Sequence, residues 1–346
     1  MIGRYHPAMS DPNPGMPRFR LFDAPSPLEA LPRLAAALGG RAEIWVKRED
    51  LLPLTFGGNK LRNLEFLVGA AIADGADTLI TSGRRWSNHC RLTAAAGAKA
   101  GLRVEVVLSG PPASPPGPGV RLMEMLGAVV RQLPTADRGA RDEEVERVAA
   151  AVRARGGRPY VIGVGGSGVI GAYGQYLAGE ELFDQAEAAG ITVNAVVVPS
   201  ATGGTQAGLI AAAARRSSVT RVAGVVVARP ASELRPAIEG MLAGLEALTG
   251  PPDEGDHGET EIDHGPAIDL DESQLGEGYG RPTTSGTEAA ELLARTEGIL
   301  TDPIYTAKAL AALLAGIRSG ALDGRRVVFW HAGGLPGIFE HPTTPR

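Results

Sequence analysis

The chain has a single cysteine, Cys90, so no disulfide can form within it and a reducing, cytoplasmic setting is expected. It has no apolar run of the roughly 18 residues that a membrane helix requires. The opening segment Met1-Ile2-Gly3-Arg4-Tyr5-His6-Pro7 lacks the apolar core of a signal peptide. Neither sign of charge dominates: 34 Lys and Arg against 39 Asp and Glu give −5, which offers nothing to nucleic acid or a membrane surface. There is no internal repeat, no Walker sequence and no G-x-G-x-x-G, so a nucleotide is not specifically indicated. His257 and His264 fall in an acidic, Gly-rich stretch without regular ligand spacing, which reads as a loop rather than a metal site.

What is present is an ordinary globular composition, 44% hydrophobic and 21% charged over 346 residues, enough for about two domains. Short β-branched runs alternate with Ala-rich helical runs. Strands are expected at Asp77–Thr81, Val104–Leu108, Ala128–Val130, Pro159–Ile162, Ala195–Val198, Val222–Val227 and Arg326–Trp330. Helices are expected at Leu92–Ala100, Gly119–Leu126, Arg141–Ala154 and Thr205–Ala214, with loops at residues 111–118 and 251–280. Continuous Val/Ile/Leu runs indicate parallel strands buried on both faces. Their alternation with helices implies an α/β fold with right-handed crossovers.

In such a fold the chemistry sits on loops that follow strands. One further segment, Phe56-Gly57-Gly58-Asn59-Lys60, opens an amphipathic run. Its glycines would let the backbone approach a planar ligand, and a lysine on a first helical turn meets the positive end of the dipole, which disfavours its protonated form. A neutral amine can form a Schiff base with an aldehyde cofactor, although Gly-Gly-Asn-Lys alone also describes a surface lysine after a turn. After the first strand comes Ser82-Gly83-Arg84-Arg85-Trp86-Ser87-Asn88-His89, where Ser87 and Asn88 would begin a helix and receive a carboxylate, or simply cap it. Pro199-Ser200-Ala201-Thr202-Gly203-Gly204-Thr205 follows a later strand and reads as a phosphate cradle. The segments Asp302-Pro303-Ile304-Tyr305-Thr306 and His331-Ala332-Gly333-Gly334 complete the set. A Schiff-base lysine, a carboxylate site and a phosphate cradle together describe an aldehyde phosphate joined to an amino acid, which pyridoxal 5′-phosphate fits.

On these segments, together with Val46-Lys47-Arg48-Glu49-Asp50, Gly278-Tyr279-Gly280 and Glu297–Tyr305, the chain resembles the D-cysteine desulfhydrase and 1-aminocyclopropane-1-carboxylate deaminase family of fold type II pyridoxal-phosphate enzymes. The resemblance runs from about Pro25 to Phe339. It implies a large domain of residues 1–62 and 171–346, a small domain of residues 63–170, a homodimer, and a small amino-acid substrate. It implies that Lys60 carries the cofactor, Asn88 bonds its phenolic oxygen, and Thr202, Gly203, Gly204 and Thr205 hold its phosphate. Ser87, with the N–H groups of Asn88 and His89, would receive the substrate carboxylate, and Tyr279 and Tyr305 would line the substrate site. The implied activity is β-elimination giving a 2-oxo acid and ammonia. Deamination of 1-aminocyclopropane-1-carboxylate, β-replacement, racemisation or a silent cofactor-binding role are the alternatives.

The chain departs from the family in places. His89 stands where the deaminases carry Gln, and Thr306 where they carry Glu; both favour the desulfhydrase side. Arg84-Arg85-Trp86 is unusual beside a carboxylate site; its arginines would either face solvent or bind a second anion such as a sulfonate or carboxylate side chain. Ala332 replaces a threonine, which leaves Thr306 as the expected partner of the pyridine nitrogen.

Overall fold

The computed structural model describes residues 13–113, 116–216, 220–250 and 267–340. His257 and His264 lie outside them. Ten strands are formed: β1 Leu28–Ala30, β2 Glu43–Lys47, β3 Thr78–Gly83, β4 Arg103–Ser109, β5 Val129–Leu133, β6 Pro159–Ile162, β7 Ala195–Ser200, β8 Arg221–Val226, β9 Asp269–Asp271 and β10 Arg326–Trp330. The α-helices are α1 Pro32–Ala37, α2 Lys60–Ala73, α3 Asn88–Ala100, α4 Pro118–Met125, α5 Arg138–Ala154, α6 Val169–Ala188, α7 Gly204–Arg215, α8 Ala231–Thr249, α9 Thr284–Glu297, α10 Thr306–Arg318 and α11 Gly337–Glu340.

The strands make two sheets, one ordered β1-β2-β10-β7-β8-β9 and the other β5-β4-β3-β6. Every pairing is parallel except β1 with β2. The α/β expectation therefore holds, and each expected strand appears within a few residues of its expected place. Alternate residues of one strand serve opposite layers, as strand geometry requires. Val196 and Val198 of β7 pack with Tyr176, Ile210 and Ile238 from α6, α7 and α8, while Val197 packs with Leu310, Leu314 and Phe329 on the other face. In the smaller sheet Leu79 and Val106 face Leu64 and Leu92 of α2 and α3, whereas Ile80 and Val107 face Val145, Val148 and Val152 of α5.

Several elements escaped the sequence pattern, among them β1, β9, α1, α8, α9 and α10, and two further omissions, α6 and β2, bear on the site. Helix α6 buries Gly171 to Gly179 without interruption, so no polar stripe marks it. Strand β2 carries Lys47, which looks like a surface charge but is fully buried. The two are joined by ions. Lys47 Nζ donates to Glu181 of α6 at 2.6 Å, to the Ser26 carbonyl at 2.8 Å and to Gln185 at 2.6 Å. Arg62, on the first turn of α2, forks between two carboxylates: it donates to Glu49 at 2.8 and 3.0 Å and to Glu181 at 2.6 and 2.8 Å. Helices α2 and α6 approach closely enough that a Cβ on Gly174 would stand 2.0 Å from the Arg62 carbonyl oxygen.

Burial alone would raise the Glu181 carboxyl, but the Arg62 and Lys47 cations outweigh it and hold the group at about 2, below its ordinary 4.5. Removing one member of a buried ion network leaves its partners uncompensated, at a cost of about 3–5 kcal/mol. Glu181→Gln should lower the stability by that order. A depressed carboxyl stabilises the fold above its unfolded pKa and ceases to do so as pH falls through its folded one. The difference in urea midpoint between wild type and Glu181→Gln should therefore shrink as pH falls from about 4.5 toward about 2.

Candidate functional site

Lys60 is the first residue of α2, and the chain reaches it through an unusual turn. Leu54, Thr55, Phe56, Gly57 and Gly58 all have positive φ, a conformation that costs side-chain-bearing residues about 1–3 kcal/mol each unless surroundings impose it. Here they do. Arg91 of α3 donates to the carbonyls of Thr55 and Gly57, Gly58 N–H donates to the Glu49 carbonyl at 2.9 Å, and Asn59 N–H to the Ala332 carbonyl at 3.0 Å. The expectation that these glycines admit a ligand is corrected at Gly57, where a Cβ would strike the Asp50 carbonyl oxygen at 2.1 Å. The protein's own backbone demands glycine there.

Lys60 opens onto a cavity of about 190 Å³. Its amine has no hydrogen bond or ion pair among the described residues, and burial lowers its pKa from 10.5 to about 8. Desolvation by burial is the cause of that shift. His89 stands nearby, its ring 2.9 Å from Thr81 Oγ1 and lowered to about 3 by burial and by the Lys60 charge, so it is neutral at physiological pH.

Two helix starts converge on the same cavity. Ser87 is the N-cap of α3: its Oγ accepts the Cys90 N–H at 3.2 Å, which leaves the N–H groups of Asn88 and His89 without helical partners. Capping and anion binding are thus compatible at Ser87, since its own hydroxyl proton is still available. Across the cavity, α7 begins at Gly204 behind Gly203, whose φ of 83° is left-handed. A Cβ at Gly203 would meet Ile238 at 2.6 Å. Thr202 shares a 2.6 Å hydrogen bond with Ser167, and Thr205 accepts one from Asn59 at 2.8 Å. Ser200, also on the wall, has a buried Oγ with no hydrogen-bond partner among the described residues.

The cavity wall includes Lys60, Arg84, Ser87, Asn88, His89, Thr202, Gly203, Gly204, Thr205, Tyr279 and Tyr305. The two tyrosine hydroxyls meet at 2.5 Å, and burial raises both phenols above the ordinary value. Three expected residues stand elsewhere. Trp86 packs edge-on behind Tyr279, 6.0 Å between centroids, and Arg85 lies over the Trp86 ring at 5.2 Å while donating to the Pro111 carbonyl. Thr306 is fully buried in the first turn of α10, its hydroxyl 2.6 Å from Asp302 Oδ1, and does not line the cavity. Sequence reasoning missed Asn59, Ser200, Arg138, Arg141 and Arg229, which also form the wall. Ser200 belongs to a segment already singled out; the arginines have no local signature.

An amine of low pKa between two helix starts rich in unpaired N–H groups suits a ligand carrying an aldehyde and a phosphate. The description "pyridoxal-phosphate dependent enzyme" matches residues 19–333. The chain belongs to that family. A D-cysteine desulfhydrase of Salmonella typhi is 40% identical over 94% of this chain and 97% of its own. Another from Salmonella newport matches to the same extent. A crystal structure of an ACC deaminase homologue superimposes with a TM-score of 0.86 at 30% identity, covering 97% of each chain. A T.th. threonine deaminase, at 23% identity and a TM-score of 0.62 over 92% of this chain and 94% of that one, shares the fold.

No group of three or more His, Cys, Asp or Glu side chains suited to a metal occurs among the described residues, and none of their helices is long and apolar enough to cross a membrane.

In cofactor-free protein the Lys60 amine should be labelled by an amine-reactive reagent with a midpoint near its pKa of about 8, since it is neutral above that value. Exposed lysines should titrate near 10.4. Peptide mass spectrometry across a pH series would read this, with pyridoxal phosphate protecting Lys60 and no other lysine.

Proposed function

We propose that this protein is a pyridoxal-phosphate-dependent lyase that removes a substituent from Cβ of a small amino acid and releases a 2-oxo acid and ammonia. The observation that carries the reading is the partnerless, low-pKa amine of Lys60 in a cavity walled by two opposed helix starts. The 40% identity to D-cysteine desulfhydrases over nearly the whole chain supports it.

In this reading Lys60 holds the cofactor covalently, and Thr202 through Thr205 with the free N–H groups of α7 take its phosphate. Asn88 bonds its phenolic oxygen. The Ser87 hydroxyl and the N–H groups of Asn88 and His89 take the substrate carboxylate, which orients the Cα–H bond toward Lys60. The cofactor, when bound, withdraws the electron pair that remains at Cα. Once the substrate's amine has taken its place on the cofactor, Lys60 Nζ is a free amine that accepts the Cα proton, a task that a pKa of about 8 suits. Tyr305 Oη, sharing its proton with Tyr279 Oη at 2.5 Å, donates toward the departing group. Thr306 is not part of this scheme, because its hydroxyl is committed to Asp302.

The proposed large domain, residues 1–62 and 171–346, and small domain, residues 63–170, are supported by sheet membership: every strand of the four-stranded sheet lies within residues 78–162. A cytoplasmic homodimer belongs to the same proposal, supported by the family resemblance and, for the compartment, by the lone buried thiol.

Incubation with β-substituted alanines of both chiralities (cysteine, β-chloroalanine and cysteate) should yield pyruvate and ammonia in equal amounts; formation of neither from any of them would sink the reading. Lys60→Ala should abolish turnover and the cofactor absorbance that borohydride fixes to the chain. Tyr305→Phe should lower kcat by about 100-fold, the lower range for loss of a general acid, with KM little changed.

A further inference from the structure

The cavity carries more positive charge than a cofactor phosphate and one carboxylate call for. Besides Lys60, the arginines Arg84, Arg138, Arg141 and Arg229 reach its wall, and no aspartate or glutamate of the described residues does. They arrive from separate elements. Arg84 follows β3, Arg138 and Arg141 occupy the first turn of α5, and Arg229 follows β8, so both sheets contribute.

Their internal partners leave that charge largely uncompensated. Arg84 donates to the Ser109 carbonyl at 3.3 Å and to no carboxylate. Arg229 has no hydrogen bond or ion pair among the described residues; burial with the neighbouring Arg138 and Arg141 lowers its guanidinium from the ordinary value, against the opposing charges of Glu233 and Asp142. Arg138 pairs with Glu233 at 2.7 Å, where both side chains are well exposed. The Arg141 side chain is 11% exposed, while its partner Asp142 is 66% exposed and turned to water. Exposed partners of this kind neutralise weakly. Gathering cations without an anion is unfavourable, and the missing anion is the ligand.

Position narrows the choice. Arg84 lies three residues before Ser87, and all four arginines share one cavity wall with Ser87 and Asn88. The Ser87–Asn88 helix start and the α7 start already account for the carboxylate and the phosphate in the reading above. A third anionic group is left for the arginines.

We propose that the substrate is an amino acid whose β-substituent is itself an oxyanion, a sulfonate or a phosphate ester, gripped by Arg84, Arg138, Arg141 and Arg229. This rests on the β-elimination proposed above. With a sulfonate, the Cα proton passes to Lys60, the Cβ–S bond breaks with its electron pair going to sulfur, and sulfite leaves. The three-carbon remainder takes up water, so that cysteate and water give pyruvate, ammonium and hydrogen sulfite. The leaving group gains a second negative charge as the bond breaks. The arginines therefore attract it more strongly in the transition state than in the ground state, the condition for raising kcat.

The test compares kcat/KM for pyruvate formation from both enantiomers of cysteate and O-phosphoserine with that from cysteine and β-chloroalanine. At least one oxyanion substrate should exceed the uncharged ones by about tenfold, and which one does so separates sulfonate from phosphate. Arg141→Gln and Arg229→Gln should each reduce the ratio of oxyanion to uncharged kcat/KM by about tenfold, the effect of losing one charge-assisted contact. As a readout independent of turnover, 3-sulfopropionate should bind borohydride-reduced holoenzyme in calorimetry, and Arg141→Gln should weaken that binding by a similar factor. Preference for the uncharged substrates would overturn the inference and leave the elimination standing. So would variants in which cofactor affinity and both substrate classes fall in parallel, since the arginines would then serve the cofactor phosphate. Pyruvate from no substrate would overturn both.

Discussion

The guanidinium of Arg62 is the interaction on which the site depends. Four hydrogen bonds tie it to Glu49 and Glu181, and Glu181 in turn holds Lys47 of β2. One buried arginine thereby locks the first turn of α2 to α6 and, through Glu181, to strand β2 of the larger sheet. Lys60 precedes Arg62 by two residues, so its amine inherits that rigidity. Such a network gains little over an apolar core of equal volume, but it is costly to break, and it fixes geometry. The five successive positive-φ residues that lead into the helix are held separately, by Arg91 and by backbone hydrogen bonds to Glu49 and Ala332.

Rigidity and desolvation act together on Lys60. No carboxylate approaches its amine, so burial is unopposed and lowers the pKa to about 8. Lys47 is also buried and also lowered by desolvation, yet it keeps Glu181 and Glu49 as opposing charges. The same side chain becomes a structural ion in one place and an available base in another, and the difference is whether an anion was built in beside it.

Much of this was legible in the sequence because the signals were local. Aliphatic runs marked β3, β4, β7, β8 and β10, since strands buried on both faces are rich in Val, Ile and Leu and carry few charges. Ser87-Asn88 and Gly203-Gly204 announced helix starts through residue types that cap or turn. What could not be read was relational. Helix α6 has no polar stripe because protein covers it all round, and the charge of Lys47 hides a buried strand. The arginines of the cavity belong to three segments more than fifty residues apart, and only the packing of two sheets brings them to one wall.

Thr306 illustrates how a local device can displace a site role. The buried carboxylate of Asp302 accepts the N–H groups of Ile304 at 3.0 Å, Tyr305 at 2.8 Å and Thr306 at 3.0 Å, with the Thr306 hydroxyl at 2.6 Å as a fourth donor. Three orphan donors at the start of α10 are satisfied at once, which is what a helix entering a buried position needs. Asp302 in turn leaves room for no side chain at Gly334, whose Cβ would stand 2.7 Å from its Oδ1. The sequence placed Asp302, Tyr305, Thr306 and Gly334 in one set of candidate residues, and they do act together. Their joint product is the backbone position of Tyr305, which sets its hydroxyl against that of Tyr279 on the cavity wall. The threonine holds that tyrosine in place, and its own hydroxyl, bonded to Asp302, does not line the cavity.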